Sequence, residues 1–179
     1  METLPPLLIV EDDADVRHAA ELALEPHVEA IEALASPRDL AALVVPGRFG
    51  CVLLDMNFVA GERSGREGMD ALAMLRQQDP SLAIVLMTAF GRVSLAVAAL
   101  KRGAHDFMLK PWRNRDLVEA VRSASEATRA ARAGRPLDSV EREAIEHALA
   151  QSGGNIAQAA VRLGLSRPAL YRRMARHGL

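Results

Sequence analysis

Five residues carry the types and positions that chemistry needs. Glu11 and Asp12 follow the apolar run Leu7–Val10. Asp55 closes the run CVLLD from Cys51, Thr88 follows Leu82–Met87, and Lys110 follows Asp106–Leu109. Short apolar runs of this kind suit strands buried on both faces, which occur mainly in parallel sheets. Each polar residue then sits at the carboxyl end of a strand, the edge where ligands gather in open α/β sheets. Brought together, the three carboxylates repel one another. At an effective dielectric near 20, two unit charges about 4 Å apart cost roughly 4 kcal/mol. A divalent cation or a proton must relieve this. Oxygen donors without His or Cys point to Mg²⁺ or Mn²⁺. A cation, one lysine and one hydroxyl suit a phosphoryl group. Asp55 can then accept it as a nucleophile, giving an aspartyl phosphate.

The elements between these residues alternate. A helix is expected over Ala14–Leu24, capped by Asp13, and Pro26 ends it. Val28–Ala33 reads as a weak second strand, and Ser36-Pro37 opens a short helix to about Val45. The loop from Met56 to Arg66 is long for a strand–helix connection. Helices follow over Gly68–Gln78, over Val93–Arg102 closed by Gly103, and over Asn114 to about Ala133. Five strand–helix pairs give an open parallel sheet with helices on both faces. After Gly134-Arg135-Pro136 the pattern turns to helices only. The expected division is a first domain over 1–125, a helical extension and linker over 126–136, and a small all-α domain over 137–179.

Composition bounds the function. Half of the residues are apolar but only 3% are aromatic, so Ala, Leu and Val must fill the core. The single cysteine, Cys51, excludes a disulfide framework and suits a reduced, cytoplasmic protein. No apolar stretch is long enough to span a membrane, and METLPP lacks the basic start of a signal peptide. His18, His27, His105, His147 and His177 are scattered, which argues against a metal or triad role. The net charge of −1 hides an asymmetry. Residues 153–179 hold Arg162, Arg167, Arg172, Arg173 and Arg176 and no acid, so the tail is +5 and residues 1–152 carry −6. A basic tail of this kind suits a polyanion.

The segments LLIVEDD, VLLDMN, VLMTAF and DFMLKP occur in order over residues 5 to about 125. In them the chain resembles the receiver domain of bacterial two-component response regulators. The resemblance implies a flavodoxin-like, doubly wound five-stranded sheet of order 2-1-3-4-5. It implies phosphorylation of Asp55 by a partner sensor histidine kinase. Asp12, Asp55 and the backbone carbonyl of Asn57 would hold Mg²⁺ directly, and Glu11 largely through water. Thr88 and Lys110 would contact the phosphate, Phe107 would be the switch aromatic, and the Lys110–Pro111 bond would be cis. The chain departs from the family in two ways. Position 59 is Val where proline is usual, and the stretch from Asn57 to Gly68 is longer, as in regulators of the NtrC kind.

In the tail, Ser139–Gln151, Ile156–Leu163 capped by Asn155, and Arg167–His177 capped by Ser166 are expected helices. Two short helices joined by a Gly164 turn, the second rich in Arg, describe a helix-turn-helix. The stretch AIEHALAQSGGNIAQAAVRLGLSRPALYRRMARHGL resembles the Fis-type DNA-binding domain, with Ala169 where that family carries threonine. This resemblance implies a homodimer and a recognition helix over Arg167–Arg176. Arg167, Tyr171, Arg172, Arg173 and Arg176 are the candidate contacts to duplex DNA.

The expected function is a phosphorylation-dependent transcription regulator that is not itself an enzyme. The order of domains resembles the short regulators of the PrrA/RegA kind, or NtrC-like activators without an ATPase, since no G-x-x-x-x-G-K-[ST] occurs. Two rivals remain open at this point. One is a phosphate sink or protein-interaction module whose tail only dimerises. The other is a phosphatase using Asp55, which would need an acid where Asn57 stands.

Overall fold

The computed structural model describes residues 3–58, 65–89, 93–133 and 137–179. Five strands, β1 (Leu7–Val10), β2 (Ile31–Leu34), β3 (Cys51–Asp55), β4 (Ala83–Thr88) and β5 (Asp106–Leu109), form one sheet of order β2-β1-β3-β4-β5. Every pairing is parallel. The three central strands are buried throughout, whereas β2 and β5, at the edges, are half open. The sheet order expected from the resemblance is therefore the one observed. β2 lies over Ile31–Leu34, later than the expected Val28–Ala33. Val28 instead belongs to an isolated bridge with Leu4.

The apolar strands conceal an alternation that only the sheet resolves. Leu8, Val10, Val52, Leu54, Ile84 and Leu86 join one core cluster. It is covered by α2 (Leu40–Leu43), α3 (Arg66–Gln78) and α4 (Val93–Lys101). Leu7, Ile9, Cys51, Leu53, Val85 and Met87 join another, covered by α1 (Ala14–Leu24) and α5 (Asn114–Ala133). Successive strand residues point to opposite faces, so a sheet covered on both sides needs apolar residues at every position. Burial also pushes the Cys51 thiol far up, which keeps it an inert core group.

Local chemistry sets the helix ends. Asp13 accepts from the backbone N–H groups of Asp15 and Val16, at 2.9 and 3.1 Å, and so caps α1 as expected. The α1 helix ends at Leu24, and a 3-10 turn carries Pro26. The Ser36-Pro37 start yields a 3-10 turn and only four α-helical residues, shorter than expected. The α3 helix begins at Arg66, after Gly65 in the left-handed region, φ 67°.

The α5 helix spans Asn114–Ala133, as expected, and its last turns stay docked. Burying Leu117 and Val121 contributes about 1.5–3 kcal/mol each. Farther along, the buried Thr128 hydroxyl accepts from the backbone N–H of Ala83 at 2.8 Å. Arg132 donates to Asp79 at 2.8 Å, to the Ser81 hydroxyl at 3.1 Å and to the Phe49 carbonyl at 2.9 Å. Asp79 also accepts from the backbone of Gly47 and Ser81. Its burial raises its pKa, but the Ser81 hydroxyl and the Arg132 charge outweigh this and hold it below the usual carboxylate range.

The linker residues 134–136 lie outside the described residues. Beyond them, α6 (Leu137–Gln151), α7 (Ile156–Arg162) and α8 (Arg167–His177) pack around Ile145, Ala148, Ala159, Ala160 and Leu170. The α6 helix starts earlier than the expected Ser139. Asn155 and Ser166 cap α7 and α8 as their side-chain chemistry predicts. Among the described residues, no helix is long and apolar enough to cross a membrane.

Candidate functional site

The ends of β1, β3, β4 and β5 converge on one pocket. Glu11 follows β1 and is buried, and Asp12 beside it is exposed. Asp55, the last residue of β3, is 4% exposed. One carboxylate oxygen from each of the three lies within 4.8 Å of the others. Lys110, after β5, reaches back between them. Its Nζ sits 2.7 Å from Asp55 Oδ1 and 2.5 Å from Glu11 Oε2. Thr88 ends β4 and is fully buried, and its carbonyl accepts from the Lys110 backbone at 2.8 Å. The Lys110–Pro111 bond is cis. Five residues spread over Glu11 to Lys110 thus meet because parallel strands all deliver their carboxyl ends to one edge.

Electrostatics in the pocket follow from burial and pairing. Burial drives the Glu11 carboxyl up to about 7. The Lys110 hydrogen bond opposes the rise, and the nearby Asp55 charge adds to it. Lys110 is pulled down by its own burial, yet its contacts with Asp55 and Glu11 leave its pKa raised overall. It therefore stays a cation and holds the two buried acids together. Asp55 is fixed from its other side too, since Oδ2 accepts from the Asn57 backbone N–H at 2.8 Å.

Three supports were not legible in the sequence. Arg17, one turn into α1, donates to the carbonyls of Glu11 and Asp12, at 2.7 and 3.3 Å, and pins the loop that carries both acids. The Asn57 side chain accepts from Gly65 N at 2.9 Å, and Glu67 accepts from Phe58 N at 2.9 Å. The two ends of the long loop are thereby tied, while Val59 and the rest of 59–64 lie outside the described residues. A periodic reading cannot reveal such bonds, because they depend on how the loop folds back.

Phe107 is half-buried and packs against the cluster containing Leu86 and Ala99. On the surface formed by α4 and β5, Ala99 is buried and Leu95 packs on the core. The outward apolar residues there are Val97, Leu100 and Leu109. Beside the pocket, a groove of about 570 Å³ opens between α1 and the start of α5, lined in part by Val16, Ala19, Pro111 and Trp112.

In the helical segment, Arg167, Tyr171 and Arg172 of α8 are exposed. Arg173 and Arg176 are exposed as well, but both bond to Glu141 of α6, Arg173 at 2.7 Å. His177 Nε2 lies 2.9 Å from the same carboxylate. No local pattern in the sequence marks Glu141 for this role, since its partners on α8 lie 32 to 36 residues away.

Comparisons with known proteins agree with this geometry. Residues 7–122 match the response regulator receiver domain, and residues 136–177 match the bacterial regulatory protein, Fis family. The chain is 30% identical over 177 residues to the photosynthetic apparatus regulatory protein RegA of Rhodovulum sulfidophilum, covering 96% of this chain and 92% of that protein. It is 32% identical to the C4-dicarboxylate transport transcriptional regulatory protein DctD of Rhizobium meliloti over 72% of its own length, but spans only 27% of that relative. Among solved structures, the N-terminal signal receiver domain of a two-component response regulator from Bacteroides fragilis superposes with a TM-score of 0.61 at 36% identity. That alignment covers 69% of this chain and 98% of the other. The convergent strand ends, the sheet order and both sequence matches lead to one assignment: this chain belongs to the response regulator receiver family, with a Fis-family helix-turn-helix segment behind the receiver.

Proposed function

We propose that this chain is a phosphorylation-dependent response regulator that binds duplex DNA and regulates transcription, and that Asp55 accepts the phosphoryl group. The observation that carries the reading is the placement of the Asp55 carboxylate. It is buried at a strand end, held by Lys110 on one oxygen and by the Asn57 N–H on the other, beside a second buried acid. A phosphohistidine on a sensor kinase is the matching donor. An Asp55 oxygen attacks phosphorus, the N–P bond breaks, and the imidazole leaves as the acyl phosphate forms. Lys110 and Thr88 would then bind phosphoryl oxygens. The apolar groove beside the pocket, with Trp112 and Val16, gives the kinase a surface within reach of Asp55.

The donor set fits Mg²⁺ or Mn²⁺, because it is made of clustered carboxylate oxygens. Glu11, Asp12, Asp55 and the Asn57 backbone carbonyl would hold the ion. When bound, it neutralises charge on the phosphoryl oxygens. The new charge on Asp55, about −1.5 to −2, would draw Thr88 inward and bias Phe107 and the α4–β5 surface toward a second arrangement. Exposed Val97, Leu100 and Leu109 make that surface suited to a homodimer. A dimer would also match the paired half-sites of a helix-turn-helix. The protein would act in the cytoplasm, where kinase and DNA are both accessible, and turn over no external substrate.

The test is duplex binding by wild type and Asp55→Ala, with and without Mg²⁺ and a small phosphodonor, across salt. Tightening on phosphorylation in wild type alone supports the reading. Equal binding by both proteins under all conditions removes Asp55 as the control. No binding even at low salt removes DNA as the output.

A further inference from the structure

The arginines of α8 fall into two groups, those paired with an acid outside the helix and those that are not. On α8, Leu170 is fully buried against α6 and α7, and Met174 packs beside it. Helical spacing puts Arg172 on the opposite, outward side, with Pro168, Tyr171 and Ala175 near it. Arg173 and Arg176 fall on a flank, and that flank meets α6. There Glu141 accepts from Arg173 at 2.7 Å, from Arg176, and from His177 at 2.9 Å. Three donors converge on one carboxylate whose side chain is 21% exposed. In contrast, the side chain of neither Arg167 nor Arg172 makes a hydrogen bond or ion pair with a described residue. The other ion pair of α6 described, Arg142 with Glu146, stays within that helix.

We propose that Glu141 is an intramolecular competitor for DNA phosphate that withholds Arg173 and Arg176, so that Arg167 and Arg172 make the charged contacts of the recognition helix. The inference rests on the DNA-binding reading above. Its physical basis is substitution of one anion for another. A carboxylate already paired with a guanidinium occupies the donors that a phosphate would use, and its own charge repels the duplex. Sequence-independent affinity scales with the number of phosphates neutralised, and its logarithm falls with log salt by about 0.9 per phosphate. Withholding two arginines lowers that background and leaves binding more dependent on base contacts, which carry the sequence information. Glu141 thus tunes specificity without touching DNA.

The experiment measures binding of the full chain to a random-sequence duplex between 50 and 200 mM salt. Wild type, Glu141→Gln, Glu146→Gln and the double variant Arg173→Gln/Arg176→Gln are compared, each checked for an unchanged thermal transition. Glu146→Gln removes the same charge from the same helix but leaves α8 untouched, so it reports general attraction. The expected result is tighter binding by Glu141→Gln than by Glu146→Gln, with a salt slope steeper by about 1 to 2. Its advantage over wild type should then be several-fold to about tenfold larger at 50 than at 200 mM. The double arginine variant should keep nearly the wild-type slope. Equal effects of the two glutamate variants, or a shallower slope in Glu141→Gln, overturn the proposal. So does a slope reduced by about 2 in the double arginine variant, which decides the matter even if Glu141→Gln does not fold. A wild type that binds no duplex at low salt overturns the DNA-binding reading as well, and is thereby told apart from failure of this inference alone.

Discussion

Gly68, in the first turn of α3, lies against the backbone of Asp55. A Cβ at Gly68 would stand 2.8 Å from the Asp55 carbonyl oxygen and 2.6 Å from the Met56 Cα. The contact is backbone on backbone, and Gly68 N also donates to the Met56 carbonyl at 3.2 Å. The start of α3 therefore packs directly on the end of β3.

Gly68→Ala should push α3 away from the end of β3. An inserted methyl with no room to enter costs about 1–3 kcal/mol. A urea titration of the receiver should show a lower midpoint, and phosphoryl incorporation at Asp55 should slow. An unchanged midpoint and rate would show that the two backbones can part freely.

Asp79 and Arg132 bind α5 to the base of the sheet across 53 residues of chain. Replacing Asp79 by Ala leaves the Arg132 cation partly buried without its counter-ion, and loss of one partner of such a pair costs about 3–5 kcal/mol. The α5 end should loosen, with faster amide exchange over Thr128–Ala133. Because the folded carboxyl is held low, Asp79 contributes stability above its ordinary pKa near 3.8, and that contribution is lost as pH falls through the lower folded value. Wild type should thus be more acid-sensitive than an Asp79→Asn variant. Equal acid sensitivity would remove this pair from the account.

Glu11 has the opposite sign. Its folded pKa, about 7, lies above the ordinary 4.5, so the folded chain binds the extra proton between those values. Stability without divalent cation should fall as pH rises from about 5 to 7, by about 3 kcal/mol at 1.36 kcal/mol per pH unit. Glu11→Gln should flatten this slope. Mg²⁺ affinity should rise over the same window, since the ion competes with that proton. Calorimetry across pH would detect both effects, and a Glu11→Gln profile parallel to wild type would contradict them.

Lys110→Ala removes the cation that joins Asp55 to Glu11. Loss of a preorganised donor to a transferring group costs on the order of 100-fold in rate. Incorporation from a small phosphodonor should fall by about that factor, whereas Asp55→Asn should take up none. Near wild-type uptake in Lys110→Ala would assign Lys110 a structural role only.

The sequence alone determined where β1, β3, β4 and β5 end and which polar residues stand there. Short apolar runs closed by Glu11, Asp55, Thr88 and Lys110 are local signals, as are the caps Asp13, Asn155 and Ser166. Backbone propensity and side-chain hydrogen bonds within a few residues produce them without reference to the rest of the fold. Only the tertiary structure decided which face of each apolar element is covered. It buried Ala99 and left Val97, Leu100 and Leu109 outward. It likewise decided the partners of long polar side chains, pairing Arg132 with Asp79, Arg17 with the Glu11 carbonyl, and Arg173 and Arg176 with Glu141. Those bonds join residues that approach only after the helices have packed, so no spacing along the chain records them.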